Sequence, residues 1–357
     1  MIATFPTLCP NLQEITLYSL QRDPMVTAAL SEMLLASNRN ALRCFRVDYP
    51  LTEEARQVVH NLPNLRSLSM DIERDSSLPL VVLPNLTNLG ITYYHDDDCL
   101  RLFHRAKLEK LGTVTLYSKS EQTGGFLEAF ERVVLAASIQ NTLSEFRLCT
   151  ARSWEPNYSS FLPFTQMTRL TLDFSCYNGC SSTVDDDVIT NLARAMSRLQ
   201  TLELGDPPCY EIPTGVTATG LVALAHHCPY LFTLRVHFQV ASLSTPLAIP
   251  RTASDAEPTA LQRGCALRRL EVGGISVPEE SVLTVALTLA HIFPHIEGVD
   301  GPDEDSVGSW DDNWDKVVEA ICVSREIINR SSEKHIPFTP WSTLVNISPG
   351  ATLEGTI

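Results

Sequence analysis

A six-residue pattern of apolar places, Leu-x-x-Leu-x-Leu, recurs along the chain, with Ile, Val, Phe or Met allowed at each apolar place. We number its places as positions 1 to 6 and call each copy a block. Ten blocks begin at Leu12, Leu42, Leu65, Leu86, Leu111, Leu143, Met167, Leu199, Leu231 and Leu267. A weaker eleventh block begins at Ile296, after a Pro-x lead-in that also precedes several of the others. The alternation at positions 4 to 6 predicts a short strand in every block.

The segments between blocks have the spacing of amphipathic helices, with apolar residues three, four and seven places apart. Stripes of this kind start at Val26, Ala55, Phe126, Val188, Leu221 and Val282. Several are preceded by Thr or acidic residues, as at Thr52 and Asp185, which would cap free backbone N–H groups and oppose the helix dipole. The chain is therefore predicted to alternate strand and helix.

A unit of one strand and one helix cannot bury its apolar side alone, but stacked units can. Consecutive blocks start 21 to 36 residues apart, mostly within or just above the roughly 20–29 residues of leucine-rich repeats. We therefore expect an α/β leucine-rich-repeat solenoid, curved, with parallel strands on the concave face and helices on the convex face. Counted from the block start as position 1, position 9 lacks the Asn or Cys of the regular short repeat. This favours irregular repeats with full helices.

Three parts of the chain are predicted. Residues 1–299 form the solenoid, interrupted at 237–264 by an inserted loop rich in Ser, Thr, Ala and Pro, with a short helix near 257–263. Residues 300–332 are an acidic loop followed by a C-terminal capping helix. Residues 333–357, which contain several prolines, are a poorly ordered tail.

The formal charge of −15 and the 44% hydrophobic content fit a globular protein and argue against sequence-independent binding to nucleic acid or to an anionic membrane. The sequence has no secretory signal and no apolar run of membrane-spanning length. The ten Cys are scattered singly, as expected for reduced thiols. We therefore expect a soluble protein of the cytoplasm or nucleus, with no nucleic-acid and no membrane partner.

Motifs for catalysis and metal binding are weak or missing. The sequence has no phosphate-binding Gly loop, no nucleophile elbow and no His-Glu-x-x-His helix. Cys176 and Cys180 could be combined with the cluster at 226–228 into a metal site, but singly buried thiols are the favoured interpretation. We predict no enzyme activity, no metal and no cofactor. An enzyme with a site near 237–264 stays as a less favoured alternative.

The stretch GLVALAHHCPYLFTLRV at 220–236 is similar to the repeat of F-box leucine-rich-repeat proteins, particularly the divergent fungal ones. It matches the order Gly-Leu-x-x-Leu-Ala-x-x-Cys-Pro-x-Leu-x-x-Leu-x-Leu at every named position except the last, where Val236 replaces Leu, and weaker versions lie at 8–12 and 189–204. The resemblance covers roughly residues 8–299. It implies a substrate receptor of cullin-RING ubiquitin ligases, in which an N-terminal F-box binds a Skp1-type adaptor and the repeats hold the protein to be ubiquitylated.

The first block starts at Leu12 and leaves no room for an F-box. Either the adaptor-binding part lies upstream of Met1 or the chain is a repeat module alone, so a Skp1-type adaptor is expected only if an upstream F-box exists. We therefore expect a protein–protein interaction module. The first interpretation is the substrate-recognition repeats of an F-box-type ubiquitin-ligase receptor, and the alternative is a leucine-rich-repeat scaffold unrelated to ubiquitin.

Arginine is enriched where a solenoid would present side chains on its concave face. Eight of the 30 residues at positions 2, 3 and 5 are Arg, against about two for random placement of 22 Arg in 357 residues. These are Arg43, Arg46, Arg66, Arg147, Arg169, Arg235, Arg268 and Arg269. Four residues at the same positions are acidic, so this face is predicted to carry a net charge of +4 within a chain of −15.

Two interpretations of these arginines remain open. Guanidinium groups match the paired oxygens of carboxylate and phosphate, which predicts a protein substrate bound through an acidic or phosphorylated segment. Alternatively, Glu203, Arg235 and Glu271 at position 5 of successive strands would form a ladder of ion pairs. That ladder would leave the three N-terminal arginines unexplained.

Overall fold

The computed structural model describes residues 11–17, 24–36, 40–48, 51–72, 81–119, 125–150, 157–174, 184–205, 215–243, 265–272, 276–300 and 312–333. Its strands are β1 (Glu14–Leu17), β2 (Cys44–Val47), β3 (Ser67–Ile72), β4 (Val81–Val82), β5 (Asn88–Tyr93), β6 (Ala106–Lys107), β7 (Thr113–Ser118), β8 (Glu145–Thr150), β9 (Arg169–Phe174), β10 (Thr201–Leu204), β11 (Thr233–Arg235), β12 (Arg269–Glu271) and β13 (Gly298–Asp300). Strands β4 and β6 pair with each other, and the other eleven form one parallel sheet.

All ten blocks and the weaker eleventh lie in this one sheet and share one register. Position 4 of each block pairs with position 4 of the next, from Ile15 with Phe45 at one end to Leu270 with Val299 at the other. The eleven strands follow one another in chain order. The prediction of one continuous parallel sheet is confirmed, and the chain is an α/β protein built by stacking strand–helix units.

Most of the α-helices of the described residues follow the predicted stripes, but no stripe was predicted for Asp96–Arg105 or Val240–Leu243. They are α1 (Pro24–Ala36), α2 (Glu53–Val59), α3 (Asp96–Arg105), α4 (Phe126–Ala136), α5 (Asp186–Ala195), α6 (Ala218–His227), α7 (Val240–Leu243), α8 (Val282–Ile292) and α9 (Asp312–Glu333). The Thr52 and Asp185 side chains cap α2 and α5, since they accept bonds from the backbone N–H groups of Ala55 and Val188.

The two faces of the sheet differ in burial. Side chains at positions 4 and 6 share one apolar core with the helices, which therefore cover that face. A run of ring contacts joins Tyr93, Phe126, Phe130, Phe146 and Phe161 in this core, with centroids 5.1 to 5.9 Å apart. Positions 3, 5 and 7 form the opposite face, which we call the open face. Most of its side chains are half-buried or exposed.

Two connections differ from the predicted full helices and loops. Between β8 and β9 the described chain forms a short 3₁₀ turn at Tyr158–Phe161. Residues 237–243 were predicted to begin the inserted loop, but they pack into the core, with Phe238, Val240 and Leu243 buried. A helix of four residues is too short to show a helical period in the sequence, which is why the pattern missed it. The rest of the insertion, including the helix predicted near 257–263, lies outside the described residues.

Helix α9 lies where the capping helix was predicted. Its side chains Trp314, Val317 and Ile321 are buried, and the ring of Trp314 meets that of Phe238 edge to face at 6.4 Å. The predicted acidic loop, apart from Asp300, and the tail beyond 333 lie outside the described residues. None of the helices in the described ranges has the length and apolar character needed to cross a lipid bilayer.

Candidate functional site

A row of backbone hydrogen bonds holds the beginnings of the strands together. The carbonyl oxygen at position 2 of each block accepts N–H bonds from positions 2 and 3 of the next. For example, Arg43 O accepts from Arg66 N at 2.7 Å and from Ser67 N at 3.1 Å. The same two bonds recur from Gln13 through Arg268. Position-2 side chains therefore stand in line along one edge of the sheet, about 4.8 Å apart. We call this line the amino edge.

A cleft of about 590 Å³ lies at the β1–β3 end of the amino edge. We call it the edge cleft. It is lined by Arg43, Arg66, Gln13, Ala41 and the four asparagines Asn11, Asn40, Asn64 and Asn85. Apart from Ala41 every one of these side chains is polar or charged. Such a lining suits a charged or strongly hydrated group better than an apolar ligand.

Two of the asparagines of the edge cleft tie successive turns together. Asn64 Nδ2 donates to Asn40 O, and Asn85 Nδ2 donates to Pro63 O, both at 2.9 Å. Lys110 Nζ in turn donates to Asn85 Oδ1 at 2.8 Å. Sequence reasoning missed these residues, although the repeated Asn in the lead-in before the blocks was a visible signal. The bonds fix the wall of the cleft and bring a third cation to its margin.

The arginines of the edge cleft are not neutralised by the protein itself. Among the described residues, no carboxylate oxygen lies within 4.0 Å of the guanidinium of Arg43 or Arg66, and both side chains are exposed. Arg46, at position 5 of β2, is half-buried, and its Nε donates to Ser67 Oγ at 3.2 Å. These side chains keep donor groups that a bound anion could use.

Arg235, by contrast, lies among three carboxylates. Its Nη2 is 3.3 Å from Glu203 Oε2 and 3.9 Å from Asp173 Oδ2, and its Nε is 3.9 Å from Glu271 Oε2. Only 16% of the side chain is exposed. The structure thus has the ion pairs that the ladder interpretation requires, with Asp173 as a further member.

The ladder extends to both sides of Arg235. Arg147 Nη2 lies 3.6 Å from Asp173 Oδ2, and Arg269 Nε lies 2.9 Å from Asp300 Oδ2. The hydrogen bond and the charge of Asp300 raise the pKa of Arg269. Burial raises the pKa of the Glu271 carboxyl, while Arg235 acts to lower it.

Two further predicted residues lie outside this central ladder. Arg268, at position 2 of its block, pairs with Glu297 at 2.8 Å and lies over the ring of Phe232 at 5.7 Å. Arg169 is exposed at position 3 of β9, and within the part of the chain that the structure describes it makes no ion pair. Four of the eight predicted arginines are therefore paired, and four are not.

The predicted net charge of +4 on this face is wrong for the face as a whole. Position 7 lies on the same face and contributes Asp48, Asp71 and Asp173, and the eleventh block contributes Glu297 and Asp300. At positions 2, 3, 5 and 7, the described residues of β8 to β13 and of their blocks comprise five Arg and six acidic residues, a net −1. Of the four unpaired arginines, Arg43 and Arg66 lie in the edge cleft, and the acidic residues at position 7 of their own blocks, Asp48 and Asp71, lie about 16 Å along the strand from position 2.

Other candidate chemistry is not assembled in the described residues. They contain no group of three or more His, Cys, Asp or Glu that could hold a metal ion. The Cys228 thiol is buried and faces the carbonyl oxygens of Ala193 and Met196 at 3.6 and 3.7 Å, and burial raises its pKa to about 12. Such a thiol stays protonated and packs as a core residue. Cys176 and Cys180 lie outside the described residues.

Compared with protein-family models and with curated proteins, the sequence has no significant match. What bears on function is therefore the geometry of the sheet: an open face, an amino edge of aligned side chains, and one polar cleft with unneutralised arginines.

Proposed function

We propose that the chain is an irregular leucine-rich-repeat solenoid that binds a protein, as the substrate-recognition part of an F-box-type ubiquitin-ligase receptor. The observation that carries this proposal is the single register of eleven parallel strands, stacked in chain order with helices on one face. Stacks of this kind offer extended surfaces on which a partner contacts many units at once.

The amino edge and the open face are the proposed binding surface, and they favour a partner with an acidic or phosphorylated segment. The arginines should contribute unequally, because a guanidinium already paired with a carboxylate binds a second anion less well. Arg43 and Arg66 contribute most, and Arg46 and Arg169 follow. The paired residues Arg147, Arg235, Arg268 and Arg269 mainly hold the strands and shape the surface.

The ubiquitin part of the proposal is supported by the repeat at 220–236. These residues form α6, a turn at Pro229 and β11. The Cys228 thiol at the turn faces two carbonyl oxygens of the preceding unit, and Leu224, Leu231 and Leu234 are fully buried. The Cys-Pro-x-Leu order thus has a packing reason here. Binding of a Skp1-type adaptor is proposed only if an F-box is encoded upstream. Sequencing of the transcript upstream of the Met1 codon would detect it.

The test is capture of partners from native cells with three tagged forms of the full chain. They are the wild type, the variant Arg43→Glu/Arg46→Glu/Arg66→Glu, and a control with equal charge change on exposed helix-side positions, Lys107→Glu/Arg132→Glu/Arg194→Glu. We expect the first variant to lose its partners at least about tenfold, the control to keep them, and wild-type binding to weaken with salt. Undiminished, salt-independent capture by the first variant would overturn the proposed surface.

The same capture addresses the ligase. An F-box in the upstream transcript, together with adaptor and cullin among the captured proteins, would support a ubiquitin-ligase receptor. A stop codon directly upstream and the absence of both proteins would favour a scaffold unrelated to ubiquitin.

A further inference from the structure

Arg43 and Arg66 occupy the same position on neighbouring strands. The backbone bond from Arg66 N to Arg43 O, 2.7 Å long, holds their main chains side by side. Their side chains therefore start about 4.8 Å apart and leave the sheet in the same direction. In the described ranges neither guanidinium has a carboxylate within 4.0 Å. Two cationic forks thus face one polar space.

The geometry of two adjacent forks distinguishes between anions. A carboxylate has two oxygens in one plane and one negative charge, which a single guanidinium satisfies. A phosphate monoester has three terminal oxygens and a charge of about −1.5 to −2 at neutral pH, so it can bond two guanidinium groups at once. The edge cleft therefore suits a phosphate better than the side chain of Asp or Glu.

The rest of the lining suits the peptide on either side of such a phosphate. Asn11 and Gln13 offer amide donors and acceptors at the same edge. The side-chain amides of Asn64 and Asn85 are held in place by their own Nδ2 hydrogen bonds. Peptide groups flanking a modified residue need both kinds of partner when they leave water. Lys110, bonded to Asn85 Oδ1, adds positive charge at the margin.

We propose that the edge cleft binds the phosphorylated side chain of a Ser or Thr in a partner protein, with Arg43 and Arg66 on two sides of the phosphate. The inference rests on the proposed function, since it names the chemistry that the partner presents at that site. The matching place at the other end of the amino edge cannot act in this way, because Glu297 already neutralises Arg268.

The experiment measures binding of the full chain to three libraries of short fluorescent peptides by anisotropy. The libraries are degenerate except at one central residue, which is phosphorylated Ser or Thr, Glu, or unmodified Ser or Thr. We expect the phosphorylated library to bind at least about tenfold more tightly than the Glu library. The variant Arg43→Gln/Arg66→Gln should abolish this preference, and the control Arg132→Gln/Arg194→Gln should keep it.

A second variant separates geometry from charge. Arg43→Lys/Arg66→Lys keeps both charges but loses the forks, so it should bind the phosphorylated library more weakly than the wild type and better than the Gln variant. Both positions are exposed, so all variants should unfold at the same temperature as the wild type. If the Gln variant unfolds at a lower temperature than the wild type, the binding of the Lys variant alone tests the inference.

Three results would overturn the inference. Equal binding of the Glu and phosphorylated libraries would show that any acidic segment suffices. Inorganic phosphate or ATP bound as tightly as the phosphorylated peptides would point to a free anion as the ligand. If the Gln and Lys variants both kept the full wild-type preference for the phosphorylated library, phosphate recognition would lie outside the edge cleft. In each case the capture experiment decides separately about the proposed function. If the variant with Arg43, Arg46 and Arg66 substituted still loses its native partners, the proposed function stands and only the inference fails. If that variant keeps its native partners, both fail.

Discussion

Strands β2 and β3 and their blocks carry Arg43, Arg46 and Arg66 without ion pairs to the described residues, whereas Arg235 and Arg269 on β11 and β12 lie 2.9 to 3.9 Å from carboxylates. Of these arginines, Arg46 and Arg235 occupy the same position of the repeating block, position 5. The difference lies in the neighbouring units. In register with Arg46 stand Thr16 and Ser69, but in register with Arg235 stand Glu203 and Glu271.

This comparison teaches that an arginine in a stacked sheet has to be judged together with the residues at its position one unit earlier and one unit later. Where those residues are acidic, the arginine stabilises the stack. Where they are small and neutral, as beside Arg46, it remains available to a partner. The predictions that follow test this division, beginning with the largest expected effect.

Acid should destabilise the β2–β3 region through a buried group that the C-terminal ladder lacks. His60 is fully buried, neither ring nitrogen has a hydrogen-bond partner among the described residues, and burial lowers its pKa to about 4. Because the unfolded chain binds this proton near pH 6.5 and the folded chain does not, stability should fall by about 3 kcal/mol between pH 7 and pH 4. Urea unfolding at both pH values measures this loss.

His60→Leu should remove most of that contribution, while His104→Leu, on the exposed side of α3, should not. Equal pH dependence in the wild type and the His60 variant would contradict the prediction. Hydrogen exchange should show the acid effect first in β2 and β3.

Arg235→Ala should destabilise the protein by about 2 kcal/mol, because it leaves Asp173, Glu203 and Glu271 half-buried without their shared cation. Arg43→Ala should change stability by less than about 0.5 kcal/mol, since its side chain is exposed and unpaired with described residues. Denaturant unfolding at pH 7 compares them. Similar losses in both variants would remove the distinction between the two regions.

Thr87→Glu should create at the edge cleft the kind of ion pair that Arg268 and Glu297 form at the other end of the amino edge. Thr87 follows Arg66 at position 2, as Glu297 follows Arg268, so the new carboxylate can pair with Arg66. Binding of the phosphorylated library should weaken about fivefold, a loss of about 1 kcal/mol, while Thr87→Gln leaves it unchanged. A Glu variant that binds as tightly as the Gln variant would show that Arg66 is not part of the site.

Arg268→Ala should have the smallest effect on stability, below about 0.5 kcal/mol and smaller still at high salt. Its pair with Glu297 is exposed, with 51% and 55% of the two side chains accessible. A loss as large as that of Arg235→Ala, measured in the same buffer, would mean that exposure does not separate the two kinds of pair.

Much of the fold could be predicted from the sequence, because alternation and helical spacing are local properties that each unit repeats. The ten block starts predicted ten strands of one parallel sheet, and Ile296 predicted the eleventh. The turn at Tyr158–Phe161 and the helix at Val240–Leu243 were missed, since elements of four residues show no period.

The site was only partly predictable. Counting residues at positions 2, 3 and 5 found the arginines but omitted Asp173 at position 7 and the two acidic residues of the eleventh block, Glu297 and Asp300. Pairing depends on those neighbours. The edge cleft depends on contacts between turns more than 20 residues apart, such as Asn64 with Asn40, and the spacing of blocks alone does not reveal them.

The doubled hydrogen bonds along the amino edge involve backbone atoms only, so they do not depend on which side chains occupy adjacent units. Duplication or loss of one complete unit between β5 and β8 would leave every new junction with the same two bonds. The edge cleft and the ladder would then move apart or together by about 4.8 Å while each kept its own residues. A gene of this design can alter the reach between its two ends in evolution in fixed steps, without rebuilding either end.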